Sequence, residues 1–311
     1  MQYDIIGDIH GEYDTLVALL IKLGYQNVSG VWQHSERQTI FLGDFIDRGL
    51  KQKAVLDLVM PMVKEGKALA VMGNHEFNAL AFHTECGENQ WLRPRNNKNI
   101  KQHMAFLTEY LNAGQSALQE ALDFFRTLPM WLELDGLRIV HACWHPESLE
   151  VIRQSCQDGL VTEAFLHSAS SEGSQEYMAL EILLKGLEIQ LPDGRSFLDK
   201  DENRRHAIRV RWWDTTADTY SAAYNGPEEA RVNIPDDPID GGYAFTYGHH
   251  EPPVFMGHYW FQGTPEILAH NVACVDYSVA KPGGKLVAYR WDGEQTVYND
   301  KFVWIDRVGS V

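Results

Sequence analysis

Three short strings constrain this chain more than anything else in it: Gly7-Asp8-Ile9-His10-Gly11, Gly43-Asp44-Phe45-Ile46-Asp47-Arg48-Gly49 and Gly73-Asn74-His75-Glu76. Each follows a short apolar or β-prone run, at residues 3–6, 39–42 and 68–72, and each opens on a glycine. A buried strand that turns sharply at its end has this appearance, because glycine accepts the turn backbone without a side-chain clash. The polar residues are therefore expected at strand ends, on three successive loops.

The segments between the strings read as helices. Leu16, Leu19, Leu20 and Leu23 recur at helical spacing after Asp14, a residue able to cap a helix, and before Gly24, which stops it. Residues 52–60 carry a similar stripe, which Pro61 is expected to limit. Strand, loop, helix and strand in repetition imply parallel β-α-β units, in which ligand-binding groups gather beyond the carboxyl ends of the strands.

Two later segments follow the same grammar. Leu137-Arg138-Ile139-Val140 runs into His141-Ala142, and Pro253-Val254-Phe255-Met256 runs into Gly257-His258-Tyr259. Five loops then offer carboxylate, carboxamide and imidazole groups, a mixture that suits Mn, Fe or Zn better than the all-oxygen preference of Ca. Two such ions about 3.5–4 Å apart can clamp a phosphoryl group and acidify a water. One carboxylate must bridge them, and Asp44, central in the set, is the candidate.

The five strings, in this order, resemble the pattern of the calcineurin-like metallophosphoesterases. Within that superfamily they resemble the phosphoprotein phosphatase branch, with its bacterial and phage serine/threonine phosphatases and symmetrical diadenosine tetraphosphatases. The motifs run from Gly7 to His258, and residues 271–279 and 283–290 resemble the closing hairpin of the family. The chain departs from the family pattern at Cys143-Trp144, where a small residue followed by glycine is more usual.

The resemblance implies an α/β (α+β) four-layer fold, a central β-sandwich flanked by helices on both faces. It implies two divalent metal ions, Mn2+ first, with Fe, Zn, Ni or Mg as alternatives. Asp8, His10 and Asp44 would hold one ion, and Asp44, Asn74, His141 and His258 the other. Arg48 would grip the substrate phosphate beside Asn74, with a fork of donors suited to it. His75 matches the family's general acid, and Asp47 the carboxylate that orients it. The implied nucleophile is a metal-bridging hydroxide, without a covalent phosphoenzyme. The implied activity is hydrolysis of phosphomonoesters, with phosphorylated proteins or peptides among the substrates. A dinucleoside polyphosphate hydrolase acting on small phosphoesters or nucleotides is the alternative. A non-catalytic scaffold ranks last, since no required residue is missing.

Other segments carry weaker signals. Arg209, Arg211, Trp212, Trp213 and Asp214 resemble a family segment near a second phosphate-binding arginine, for which Arg211 is the candidate, although either arginine could simply pair with local acids. His249 and His250 compete with His258 for the last metal position, and His258 is preferred because an apolar strand leads directly into it. His145 and His270 read as structural.

A helical insertion is expected at about 82–130, with Phe106, Leu107, Tyr110 and Leu111 on one stripe and Leu118, Leu122 and Phe125 on a second. A second insertion is expected at about 160–245, including a solvated loop at 168–175 and a lid or surface loop at 226–242.

With 311 residues and 44% hydrophobic content, the chain can bury a large core. The motifs are spread along it and must converge, so one domain over 1–311 is expected. A net charge of −16 argues against long nucleic acid as a partner. No basic segment followed by an apolar core opens the chain, and no run reaches the length of a membrane helix. The four cysteines are scattered without Cys-x-x-Cys spacing, so neither a disulfide framework nor a zinc ribbon is indicated and a reducing cytoplasm is expected. Oligomeric state is not legible.

Overall fold

A computed structural model describes residues 1–199, 203–239 and 245–309. The three runs that precede the motif loops form parallel neighbours in one sheet, Gln2–Ile6 beside Arg37–Phe41 and Arg37–Phe41 beside Ala68–Ala70. On its other edge Gln2–Ile6 pairs antiparallel with Ala288 to Trp291 of the strand Lys285–Trp291. The start of that strand pairs with Asp276–Tyr277, and its far edge carries Phe302–Asp306. A second sheet runs in the order Ile267–Ala269, Val272–Cys274, Val254–Met256, Leu137–Val140, Trp131–Leu134.

Strand periodicity explains how the two sheets meet. Ile5, Ile40 and Tyr289 from the first, and Ile139, Phe255 and Ala273 from the second, share one buried cluster between the sheets. Their chain neighbours Ile6, Phe41, Ala288, Val140, Met256 and Cys274 belong to another cluster, built with residues of the helices such as Leu16, Leu19, Val55, Leu149 and Leu183. Because side chains alternate across a strand, each strand is buried on both faces, which is why these runs read as largely apolar. The result is the α/β sandwich with helical outer layers that the resemblance implies.

Details of the helices differ from the sequence reading. The helix Tyr13–Leu23 has Glu12 at its N-cap with no side-chain cap, and Asp14 lies within the first turn, paired with Lys51. Asp14 therefore acts through the helix dipole rather than as a cap. Gly24 ends the helix as expected, with φ 95°. Pro61 does not limit its helix, which runs Gln52–Lys64. The stripe of Val55, Leu56, Val59 and Met62 buries the helix past the proline, and that packing outweighs the lost N–H.

Within residues 82–130, where a helical insertion is expected, two long helices are Asn97–Ala113 and Gln115–Arg126. The buried stripe of the former is His103, Phe106 and Tyr110, whereas Leu111 is 84% exposed. Leu111 stands about 100° further round the helix than Tyr110 and turns out of the contact. The expected loop at 168–175 is only partly a loop, since Ser168 lies in the helix Glu163–Ala169 and Ser174 caps Gln175–Lys185 by accepting from the Tyr177 N–H. In the segment 226–242, residues 240–242 lie outside the described residues. Before them, backbone bonds join Pro235 and Asp237 to Ser221 and Tyr220, and Ile239 to Asp218. Among the described residues no helix is long and apolar enough to cross a membrane.

Candidate metal centre

The motif loops are held in place by bonds that run between them. The N–H groups of Ile9 and His10 both donate to the Asp44 carbonyl, and those of Gly11 and Gly49 donate to the carbonyls of Phe45 and His10. The third loop joins through Glu76, a residue given no role by the sequence reading. Its carboxylate accepts from the Asp44 N–H at 2.7 Å, the Phe45 N–H at 2.9 Å and the Gly73 N–H at 3.0 Å. The local signal for it was the return half of a capping box, a glutamate three residues after Gly73 that accepts from the Gly73 N–H at a helix start. Burial and the nearby Asp44 push the Glu76 carboxyl up to about 7.

Contacts from the second sheet complete the pocket. His141 donates from Nδ1 to the Leu42 carbonyl at 2.7 Å, and the Gly257 N–H donates to the His141 carbonyl. The His258 N–H faces the Asp8 carboxylate at 3.2 and 3.3 Å. A β-carbon on Gly257 would lie 2.1 Å from Asp8 Oδ1, so only glycine admits this approach. Gly257→Ala is accordingly expected to displace Asp8 and weaken metal binding by about 10–100-fold, the usual scale for disturbing a ligand's support, as read by titration of metal-stripped protein with Mn2+.

Seven residues from five chain segments converge here, Asn74 and His75 at the start of the helix Asn74–His83. His10 donates from Nδ1 to the Ile46 carbonyl at 2.9 Å, which leaves its Nε2 facing the pocket, 3.7 Å from Asp44 Oδ2 and 4.0 Å from Asp8 Oδ2. His141 Nε2 is 3.5 Å from Asp44 Oδ1 and 3.2 Å from Asn74 Oδ1. His258 Nδ1 is 2.8 Å from Asn74 Oδ1. The ligand-type atoms of His10, Asp44 and His75 lie within 4.8 Å of one another, and so do those of Asp44, His141 and His258. Two donor clusters thus share Asp44, the arrangement a bridging carboxylate requires.

The chemistry of this donor set fits divalent ions. His10 Nε2 is buried and has no hydrogen-bond partner. Burial, with help from His75, lowers His10 to about 3, and burial with Arg209 and His141 holds His258 well below the usual histidine range. Both are therefore neutral imidazoles, the form that ligates metal. Burial also disfavours charge on Asp8, reinforced by Asp276 and Asp44, and pushes its carboxyl well up. Burial opposes charge on Asp44 too, but His141 and His75 outweigh it and keep the carboxylate ionised. Against its own burial, His141 is raised to about 10 by Asp44 and Asp8. The field that favours a proton on His141 equally favours a cation between these residues.

The backbone here is strained in a consistent way. His10, Asp44, Asp47, Arg48 and His258 all have positive φ, between 48° and 73°, outside glycine's usual monopoly of that region. Such outliers persist only where surrounding contacts over-determine them, and they concentrate at functional sites.

At the rim of the pocket, His75 Nδ1 meets Asp47 Oδ2 at 2.5 Å, leaving His75 Nε2 facing inward, 3.9 Å from Asp44 Oδ2. Burial lowers the His75 pKa, but Asp44 and Asp47 raise it further, for a net upward shift. The Arg48 guanidinium lies 3.7 Å over the Trp260 ring, which holds it flat against the site. Trp260 is placed in turn by Asp276, a buried carboxylate that accepts from the Trp260 and Ser278 N–H groups at 2.7 and 2.9 Å.

Two choices left open at the outer positions concern an arginine and a histidine. The strand Ala207–Arg209 ends at Arg209, and the backbone N–H of Arg211 bonds to the Ala223 carbonyl. It is the Arg209 charge that bears on His258, and Arg209 Nε is buried without a hydrogen-bond partner. His249 is stacked on His270 with ring centroids 4.9 Å apart, so His258 is the late histidine beside Asn74. His145 caps the helix Pro146–Ser155.

Residues 1–279 match the calcineurin-like phosphoesterase family, and the chain belongs to that family. It is 33% identical over 149 residues to a bis(5'-nucleosyl)-tetraphosphatase PrpE [asymmetrical] of Oceanobacillus iheyensis, covering 46% of this chain and 55% of that protein. It is 32% identical over 156 residues to a symmetrical bis(5'-nucleosyl)-tetraphosphatase of Hamiltonella defensa, covering 49% of this chain and 48% of that one. The chain thus spans about half the length of these relatives. Among solved structures, a protein serine/threonine phosphatase of Saccharomyces cerevisiae with similarity to human phosphatase PP5 superposes with a TM-score of 0.53 at 11% identity, covering 100% of this chain and 81% of that one. That likeness is one of fold.

Proposed function

We propose that the chain hydrolyses phosphate esters at a dinuclear centre held by Asp8, His10, Asp44, Asn74, His141 and His258, with phosphomonoesters as its preferred substrates. When bound, two divalent cations supply charge stabilisation for the phosphoryl oxygens and a water acidified for attack. Arg48, flat on Trp260, binds the remaining phosphoryl oxygens as a bidentate donor. His75, with Nδ1 tied to Asp47, presents its Nε2 proton to the leaving oxygen.

The single observation that carries the preference for monoesters is this His75–Asp47 pair. A proton donor matters most when the leaving group is a poor one such as a serine or threonine alkoxide, and least when it is a nucleoside polyphosphate. The second reading, dinucleoside polyphosphate hydrolysis, is favoured by the two bacterial relatives, both bis(5'-nucleosyl)-tetraphosphatases. Turnover of a phosphoserine peptide and of diadenosine tetraphosphate by manganese-loaded protein separates them. A higher kcat/KM on the dinucleotide would overturn the monoester reading.

Manganese is the proposed metal, among the ions such as Mn, Fe and Zn that a mixture of carboxylate, carboxamide and imidazole donors suits. Since the ions would bind only the folded loops, restoring Mn2+ to stripped protein at about 100 times its Kd is expected to stabilise the fold by about 2.7 kcal/mol for each ion bound, seen as a rise in Tm. All four cysteines are free thiols, which supports a reducing compartment such as the cytoplasm.

A further inference from the structure

One imidazole near the pocket belongs to none of the motifs. His103, on the helix Asn97–Ala113, is 4% exposed, and its Nδ1 lies 2.8 Å from Asp47 Oδ1. The other oxygen of that carboxylate meets His75 Nδ1 at 2.5 Å. Two imidazoles from different helices therefore grip one carboxylate, one on each oxygen.

We propose that His103 is a positioning residue for the proton donor: its Nδ1–H fixes the plane of the Asp47 carboxylate, so that Oδ2 stays on His75 Nδ1 and His75 Nε2 stays aimed at the leaving oxygen. The inference rests on the reading of His75 as general acid and extends that unit to the helical insertion.

Packing alone does not account for an imidazole at this place. The ring stacks on Phe106 with centroids 4.7 Å apart and lies against Phe82 at 5.2 Å, contacts a phenyl ring would make as well. Only the bond to Asp47 uses its polarity. The helix is docked by other means, since Glu109 accepts from the Gln52 and Lys53 N–H groups at 2.7 and 3.0 Å. Asp47 needs such help: its backbone sits at φ 67°, and its N–H is already taken by Gln52 Oε1. Burial works against the Asp47 charge, and the hydrogen bonds from His103 and His75 outweigh it, so the carboxyl is held below its ordinary range. A carboxylate bonded on one oxygen can rotate, whereas one bonded on both cannot, and a catalytic group is only as well placed as what holds it.

The test uses the full chain loaded with Mn2+ and two substrates, 2,4-dinitrophenyl phosphate with a good leaving group and a phosphoserine peptide with a poor one. His103→Phe is expected to lower kcat on the peptide by about tenfold or more, the scale on which a supporting hydrogen bond matters, with little change in KM or in kcat on the aryl ester. His103→Asn, whose amide nitrogen takes the place of Nδ1, is expected to recover most of the loss. Adding His103→Phe to His75→Gln should cost nothing further. Should His103→Phe not fold, His103→Gln, whose amide reaches the Nε2 position instead, is measured in its place with the same expectation. Equal losses on both substrates without recovery in the Asn variant, or no loss on either, would overturn the inference. If His75→Gln itself shows no dependence on leaving group, the general-acid reading fails and the inference with it. If His75→Gln shows that dependence and the His103 variants do not, the inference alone fails.

Discussion

Asp44→Asn is expected to empty both metal positions and lower turnover by about 10³-fold or more, because the charge stabilisation a metal pair supplies amounts to several kcal/mol. The variant is close to isosteric, and its remaining oxygen can still accept from the His75 N–H, which meets Asp44 Oδ1 at 3.0 Å. The fold should therefore survive while the bridging charge is lost. Asp44 is the one residue common to both donor clusters, so the two metals should fall together. Metal analysis of the dialysed variant beside its thermal melt checks this. A variant that retained one ion at full occupancy would refute the shared-ligand geometry.

His75→Gln is expected to behave differently. Turnover on a substrate with a poor leaving group should fall by about 10²–10⁴, the range for a lost general acid, while metal content is unchanged. The distinction is needed because His75 Nε2, 3.9 Å from Asp44 Oδ2, also lies within reach of the first donor cluster. Its Nδ1 is committed to Asp47 at 2.5 Å, which fits either a ligand oriented by a carboxylate or an acid oriented by one. Metal retained with activity lost on the peptide identifies the acid, and metal lost identifies the ligand.

Much of the fold was legible from the chain alone, wherever the signal is local. The strands Gln2–Ile6, Arg37–Phe41 and Leu137–Val140 were readable because a strand buried on both faces is a largely apolar run, and in the first two a glycine close behind it marks the turn. Helix boundaries were less secure. Pro61 misled because propensity is a weak prior once an amphipathic face is buried, and Leu111 misled because a stripe of four apolar residues does not say which of them meets the core.

In the metal centre, residue types and order along the chain named Asp8, His10, Asp44, Asn74, His75, His141 and His258. The residues that hold them were not legible. Glu76 bonds Asp44 across 32 positions, His103 bonds Asp47 across 56, and the Asp8 carboxylate meets the His258 N–H across 250. Arg209 could not be told from Arg211 two positions away.

By itself the sequence determined which groups stand at the strand ends and hence the family of phosphoester chemistry to which the chain belongs. Only the tertiary structure decided which distant carboxylates, imidazoles and guanidinium orient them. The reason is physical: turn chemistry and side-chain alternation act over a few residues and are written in their order, whereas the direction of a hydrogen bond between remote segments exists only once the sheets and helices have packed.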